Sequence, residues 1–102
     1  MNKFAVVIIE QAQKDLRNLS NTISYEYQSP ATAIKYLREI YQEMGKLSVM
    51  AESLSVQKST YFLQYGFNVR RLNYKKMTII YTVIDNTAYI QRVVPSSTIS
   101  NL

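Results

Sequence analysis

A chain of 102 residues has room for one modest hydrophobic core and little more. It contains no cysteine and no histidine, which excludes disulfides, thiolate chemistry, imidazole metal ligands and every nucleophile activated by histidine. The net charge of +5 is lopsided: residues 1–55 carry six cations and six carboxylates, whereas Lys58, Arg70, Arg71, Lys75, Lys76 and Arg92 face Asp85 alone in residues 56–102. A basic half of this kind suits an anionic partner such as a nucleic acid, an acidic protein or a membrane surface.

Residues 3–9 form a continuous apolar run rich in β-branched side chains, the pattern of a strand covered on both faces. The run is too short for a secretory signal or a membrane span and Glu10 closes it, so a cytoplasmic chain without membrane contact is expected. Residues 11–28 read as a helix with Ala12, Leu16, Leu19, Ile23 and Tyr27 in one stripe. Ser29-Pro30 ends it and opens a second helix to about residue 49, with Ala33, Leu37, Ile40, Met44 and Leu47 as its stripe. The two helices make a hairpin with one shared apolar seam.

Residues 50–66 are rich in Ser and Thr and read as a loop, in which Tyr61-Phe62-Leu63 is a short strand or a turn of helix and Gly66 marks a bend. From residue 67 the period changes to two. Strands are expected over residues 67–74, 77–84 and 87–94, joined by the turns Lys75-Lys76 and Asp85-Asn86. Pro95 stops the last strand, and the Ser96-Ser97-Thr98 tail reads as exposed or loosely docked. The order β-α-α-β-β-β predicts a two-layer α+β fold over 1–102 as a single domain, the helical hairpin covering one face of a mostly antiparallel sheet.

The carboxylates sit mostly at helical spacing among Lys and Arg, the pattern of a solvated helix face. With two glycines in all, Gly45 and Gly66, there is no P-loop and no dinucleotide-binding turn. No metal and no cofactor is expected. The alternation puts Met77, Ile79, Tyr81 and Val83 toward the helices, with Leu72 and Tyr74 beside them. The other face is then open, gathering Arg71, Thr78 and Arg92, with Lys75 and Lys76 at its rim. Cations and tyrosines on such a face suit a phosphate backbone or an acidic partner.

The stretch Val69-Arg70-Arg71-Leu72-Asn73-Tyr74-Lys75-Lys76-Met77-Thr78-Ile79-Ile80-Tyr81-Thr82-Val83 resembles the RelE/ParE superfamily of type II toxins, known also as plasmid stabilisation proteins. The shared pattern is a strand with paired basic residues, a short turn, then apolar-x-apolar-apolar-Tyr-x-Val. The turn Asp85-Asn86, the strand Tyr89-Ile90-Gln91-Arg92-Val93-Val94 and the junction Ser29-Pro30-Ala31-Thr32-Ala33 extend the likeness over nearly the whole chain.

The resemblance implies a bacterial growth inhibitor neutralised by a cognate antitoxin in a toxin–antitoxin hetero-oligomer. From the placement of charge, Arg70, Arg71, Lys75, Lys76, Thr78 and Arg92 are the expected partner or nucleic-acid binding positions, and Arg71 falls where RelE-like toxins carry a catalytic-strand basic residue. RelE-like members cut messenger RNA on the ribosome; ParE-like members act on DNA gyrase without cutting RNA. Thr78 stands where RelE-like toxins carry an arginine, and residues 95–102 lack their further arginine and tyrosine. The gyrase-directed mode is therefore expected ahead of ribosome-dependent cleavage, with a degenerate toxin that only binds antitoxin or DNA as a third reading. Whether the chain is an enzyme stays open at this point.

Overall fold

The computed structural model describes residues 3–99. Strand β1 (Ala5–Ile8) leads into helices α1 (Glu10–Tyr27) and α2 (Pro30–Gly45) and a one-turn helix α3 (Leu47–Met50). A 3-10 segment (Thr60–Tyr65) precedes β2 (Arg70–Tyr74), β3 (Met77–Ile84) and β4 (Thr87–Pro95), and a 3-10 turn (Ser96–Thr98) follows. The sheet order is β1-β4-β3-β2, with β1 parallel to β4 and the other pairs antiparallel. This is the expected α+β fold, a helical hairpin on a mostly antiparallel sheet.

Local chemistry sets the hairpin. Gln28 adopts a left-handed conformation and ends α1, its N–H reaching the carbonyl of Tyr25 while that of Ser29 reaches Ser24. The Ser29 hydroxyl then accepts from the Thr32 N–H at 3.2 Å, and Pro30 sits in the first turn of α2. The second helix is shorter than its periodicity suggests. Gly45, poor in helix preference, closes it, and the restart as α3 drops Leu47 into the core.

The stripes are buried as expected except at the end of α1, where Tyr27 is 66% exposed. Leu16, Ile40 and Met44 are buried with Ile79, Tyr81, Ile90 and Val93, and Leu19 and Leu37 pack at the margin. The Tyr81 hydroxyl donates to the Ala51 carbonyl at 2.6 Å, tying the chain after α3 to the middle of the sheet.

Sequence expectations fail at several points for reasons of topology, and β2 begins at Arg70 rather than at residue 67 because Gly66 and Asn68 take positive φ. β1 is covered on one face only: it lies at the sheet margin, and Val7 is 41% exposed on the side away from the helices. The opposite face of β3 is not open. Phe62, Val69, Val94 and Ile99 close over Ile80 in a second cluster, so β3 is buried on both sides along most of its length. In the tail, Ser97 and Thr98 are exposed as expected while Ile99 docks into that cluster; residues 100–102 lie outside the described residues.

β4 also carries a β-bulge. Ile80 pairs with Arg92 but Tyr81 pairs with Ile90, leaving Gln91 as an extra residue in β4. With unbroken alternation from Ile90, Arg92 would point into the helix-side core. The bulge reverses the phase, so that Val93 enters the core and Arg92 stays out of it.

Truncating Ile40 to Ala is expected to cost about 2–5 kcal/mol in chemical denaturation, as for a fully packed core residue. Burial pushes the Tyr81 hydroxyl up to about 12 from 10.0. A raised pKa means that the folded protein keeps a proton which the unfolded chain releases. Stability should therefore be full below pH about 10 and fall as pH rises toward about 12. Melting curves across this range should show that alkaline slope, and Tyr81→Phe should flatten it. At neutral pH the same change should cost about 1–3 kcal/mol, because the Ala51 carbonyl loses its donor.

Candidate functional site

The cations singled out from the sequence do not share one open surface. Arg71, Ile80 and Arg92 do form a row across β2, β3 and β4 on the face away from the helices. That row, however, is roofed by the 3-10 segment Thr60–Tyr65. The Arg71 guanidinium lies 5.9 Å from the centre of the Phe62 ring, a cation–π contact.

Arg92 is held by α1. Its Nε and Nη2 donate to the two carboxylate oxygens of Asp15 at 2.7 and 3.1 Å, and the backbone N–H of Val93 donates to the same carboxylate at 2.9 Å. The side chains of Arg92 and Asp15 are 32% and 9% exposed. Asp15 thus departs from the solvated helix face expected of it. The carboxylate raises the Arg92 pKa further, holding the guanidinium charged. Tyr65 lies on the same cluster, and burial pushes its hydroxyl up to about 12, with Tyr61 adding to the shift. A tyrosine so placed keeps its proton at neutral pH and makes a poor general base.

Thr78 is fully buried rather than surface-exposed: its hydroxyl donates to Asn73 at 3.0 Å and lies 2.7 Å from the Ser96 hydroxyl. Arg70 points to the helix side, where Nη1 reaches the carbonyls of Glu52, at 3.0 Å, and Leu54. It stitches the segment after α3 to β2 while its Nε is buried without a partner.

The β2–β3 turn keeps its place at a rim. Lys75 takes a positive φ of 52° and stands 3.5 Å from Glu39, over the rings of Tyr36 and Tyr74. The Tyr74 hydroxyl donates to Glu39 at 2.6 Å. That hydrogen bond holds the Glu39 carboxyl below its ordinary range and raises the Tyr74 hydroxyl. Lys76 is exposed, and its backbone carbonyl accepts from Ser96 at 2.8 Å.

The two lysines overlook a groove of about 510 Å³ whose walls include Leu19, Ile23, Tyr27 and Tyr36. Glu26 lines it as well, and an apolar floor with two ammonium groups on the turn side suits an amphipathic segment whose acidic residues face the lysines. A second groove, of about 350 Å³, runs beside the edge strand between α1 and α2, past Ile8, Gln13, Leu37 and Tyr41. Among the described residues no group of three or more carboxylates could hold a metal ion, and no helix is long and apolar enough to cross a membrane.

The comparisons bear on this arrangement directly. A family model described as "ParE toxin of type II toxin-antitoxin system, parDE" matches residues 6–99. The chain belongs to the ParE toxin family. Among solved structures, a chain of the "Chromosomal ParDE TA system from P. aeruginosa" has the same fold as this ParE toxin, with a TM-score of 0.76 over 91% of this chain and 96% of that one, at 17% identity. No curated protein matches the chain.

Sequence reasoning missed Asp15, Tyr61 and Tyr65 as members of the Arg92 cluster. Asp15 was legible: it falls three residues after Ala12 and four before Leu19, on the buried stripe of α1. The tyrosines carried no comparable signal, because a 3-10 segment has neither a helical nor a strand period.

Asp15→Asn should cost about 3 kcal/mol in chemical denaturation, since Arg92 would be left charged and half-buried without its counter-ion. The pairing is confirmed if Arg92→Met restores part of that loss in the Asp15→Asn background, and refuted if the two losses simply add.

Proposed function

We propose that this ParE-family toxin acts in the cytoplasm as a growth inhibitor directed at DNA gyrase, without cleaving RNA itself, and is neutralised by a cognate antitoxin. The observation that carries this reading is the commitment of the basic residues to internal partners. Arg92 is paired with Asp15 through two hydrogen bonds, Arg70 is held by carbonyls and Thr78 is buried against Ser96. Phosphodiester cleavage needs charge stabilisation on the phosphoryl oxygens, an aligned nucleophile and a proton for the leaving oxygen. A surface on which Arg92 is already paired with Asp15 and Arg71 lies against the Phe62 ring supplies little of that, whereas it can still present a shape to a protein target.

The antitoxin reading rests on two features. The β1 strand is a sheet margin, so an extended segment could add to it. The groove under Lys75 and Lys76 offers an acidic amphipathic helix an apolar floor and a cationic rim. Either mode would form a toxin–antitoxin hetero-oligomer.

A second reading, ribosome-dependent messenger RNA cleavage, draws support from one place, the Tyr61–Tyr65–Arg92 cluster. The two readings separate in one experiment. The chain is induced in growing cells with and without the neighbouring gene, gyrase supercoiling is assayed with the purified chain, and 5′ ends are mapped on translated messages. Growth arrest with inhibited supercoiling and no codon-phased cleavage is expected. Codon-phased cleavage lost on Tyr65→Phe or Arg71→Ala would replace the gyrase reading with the ribosomal one.

A further inference from the structure

One apolar element is turned outward. The 3-10 segment Thr60–Tyr65 stops at Gly66, whose φ of 109° and ψ of −152° lie where a side chain is strongly disfavoured. Asn68 follows with a φ of 54°. Between these two bends the backbone cannot run as strand, and Phe67 is thrown into solvent, 90% exposed, the most exposed of the large apolar side chains among the described residues. Leu63, 67% exposed, stands beside the same bend, its carbonyl accepting from the Gly66 N–H at 3.2 Å.

The knob is fastened at both ends. Phe62 and Val69 are buried in the second core cluster, and the Gln57 N–H donates to the Val69 carbonyl at 2.8 Å. A bend of left-handed residues held open between two buried anchors, with an aromatic side chain at its tip, gains nothing for folding from that side chain. An aromatic side chain presented to solvent on a fixed bend is placed for contact with a partner.

The charge around the knob indicates what it meets. Lys58 follows Gln57, which is hydrogen-bonded to Val69 at the end of the bend, and Arg71 lies over the ring of Phe62, the anchor before it. From residue 57 to residue 76 the chain has five cations and no carboxylate. Arg70 and Lys75 are engaged by groups on the helix side and Lys76 lines the groove there, which leaves Lys58 and Arg71.

We infer that the Leu63–Phe67 knob, flanked by Lys58 and Arg71, is the toxin's contact with its target protein, inserting into an apolar pocket rimmed by carboxylates. This rests on the reading of the chain as a toxin that acts on a protein. It assigns target contact to the side of the sheet opposite the helical hairpin, so the antitoxin grooves on the hairpin and the target contact are separate surfaces. An aromatic side chain at the centre of such a contact dominates affinity, and nearby cations speed encounter with an acidic rim.

The test compares the full-length wild type with Phe67→Ala, Leu63→Ala and Phe67→Leu, reading melting temperature, the dose that arrests growth and the dose that inhibits gyrase supercoiling. The alanine variants should melt with the wild type, because the side chains they lose are solvated. They should need at least about tenfold more protein for arrest. Phe67→Leu should stay close to the wild type, since an apolar pocket accepts leucine. Three results would overturn the inference: a Phe67→Ala variant as potent as the wild type; a Phe67→Leu variant as weak as Phe67→Ala, the mark of stacking on a nucleic-acid base; or a wild type that self-associates in solution through Phe67, which would make the partner a second copy. If the wild type arrests growth with supercoiling untouched, the gyrase reading fails alone, and the growth comparison still decides the knob. A wild type that does neither sinks both.

Discussion

The Asp15 carboxylate joins the two layers at the one place where the sheet would otherwise be open. β1 pairs with β4 only as far as Ile90. Beyond it the outer edge of β4 has no neighbouring strand, and an unpaired N–H there would be a site for stray pairing. Asp15 accepts that N–H from Val93 and closes a two-point hydrogen bond with Arg92, while Pro95, lacking an N–H, ends the edge. Charge-assisted bonds of this kind are about twice as strong as neutral ones. They also hold the β4 bulge in register, and the bulge decides which side chains enter the core. Helix docking, strand edge and side-chain phase therefore depend on one group.

That arrangement explains why a chain of net charge +5 does not show a broad cationic face. A sheet of four strands with helices on one side leaves an apolar surface on the other wherever its strands carry Ile80 and Val94. The segment 60–65 and the tail bury that surface. Covering it brings polar groups indoors, and each of them finds a partner close by: Thr78 with Asn73 and Ser96, Arg92 with Asp15, Arg71 over Phe62. The positive charge is thereby redistributed into ion pairs and ring contacts. Among the cations of residues 56–99, Lys58, Lys75 and Lys76 remain exposed and Arg71 is half-buried.

The β2–β3 turn shows the same economy. Glu39 on α2 receives the Tyr74 hydroxyl and stands near Lys75, so one carboxylate docks the hairpin turn onto the helices and keeps Tyr36 and Tyr74 edge to face, 5.5 Å apart. The turn becomes one wall of the groove that the helices form on the other side. A surface suited to a partner is thus built from contacts that are themselves structural.

The sequence by itself determined the order of elements, the helical hairpin with its Ser29-Pro30 junction, the helix-facing side of β3 and the family likeness of residues 69–83. All of these rest on local periodicity, capping chemistry and turn residues, which are properties of neighbours in the chain. Only the tertiary structure decided the fate of the other face. The bulge at Gln91 depends on pairing between strands, the roof over Ile80 on a 3-10 segment without a readable period, and the exposure of Phe67 on two backbone bends that only the folded chain imposes. Whether Arg92 is a free cation or half of an ion pair depends on a carboxylate 77 residues away. Such contacts are set by how the layers pack, and no window along the sequence contains both partners.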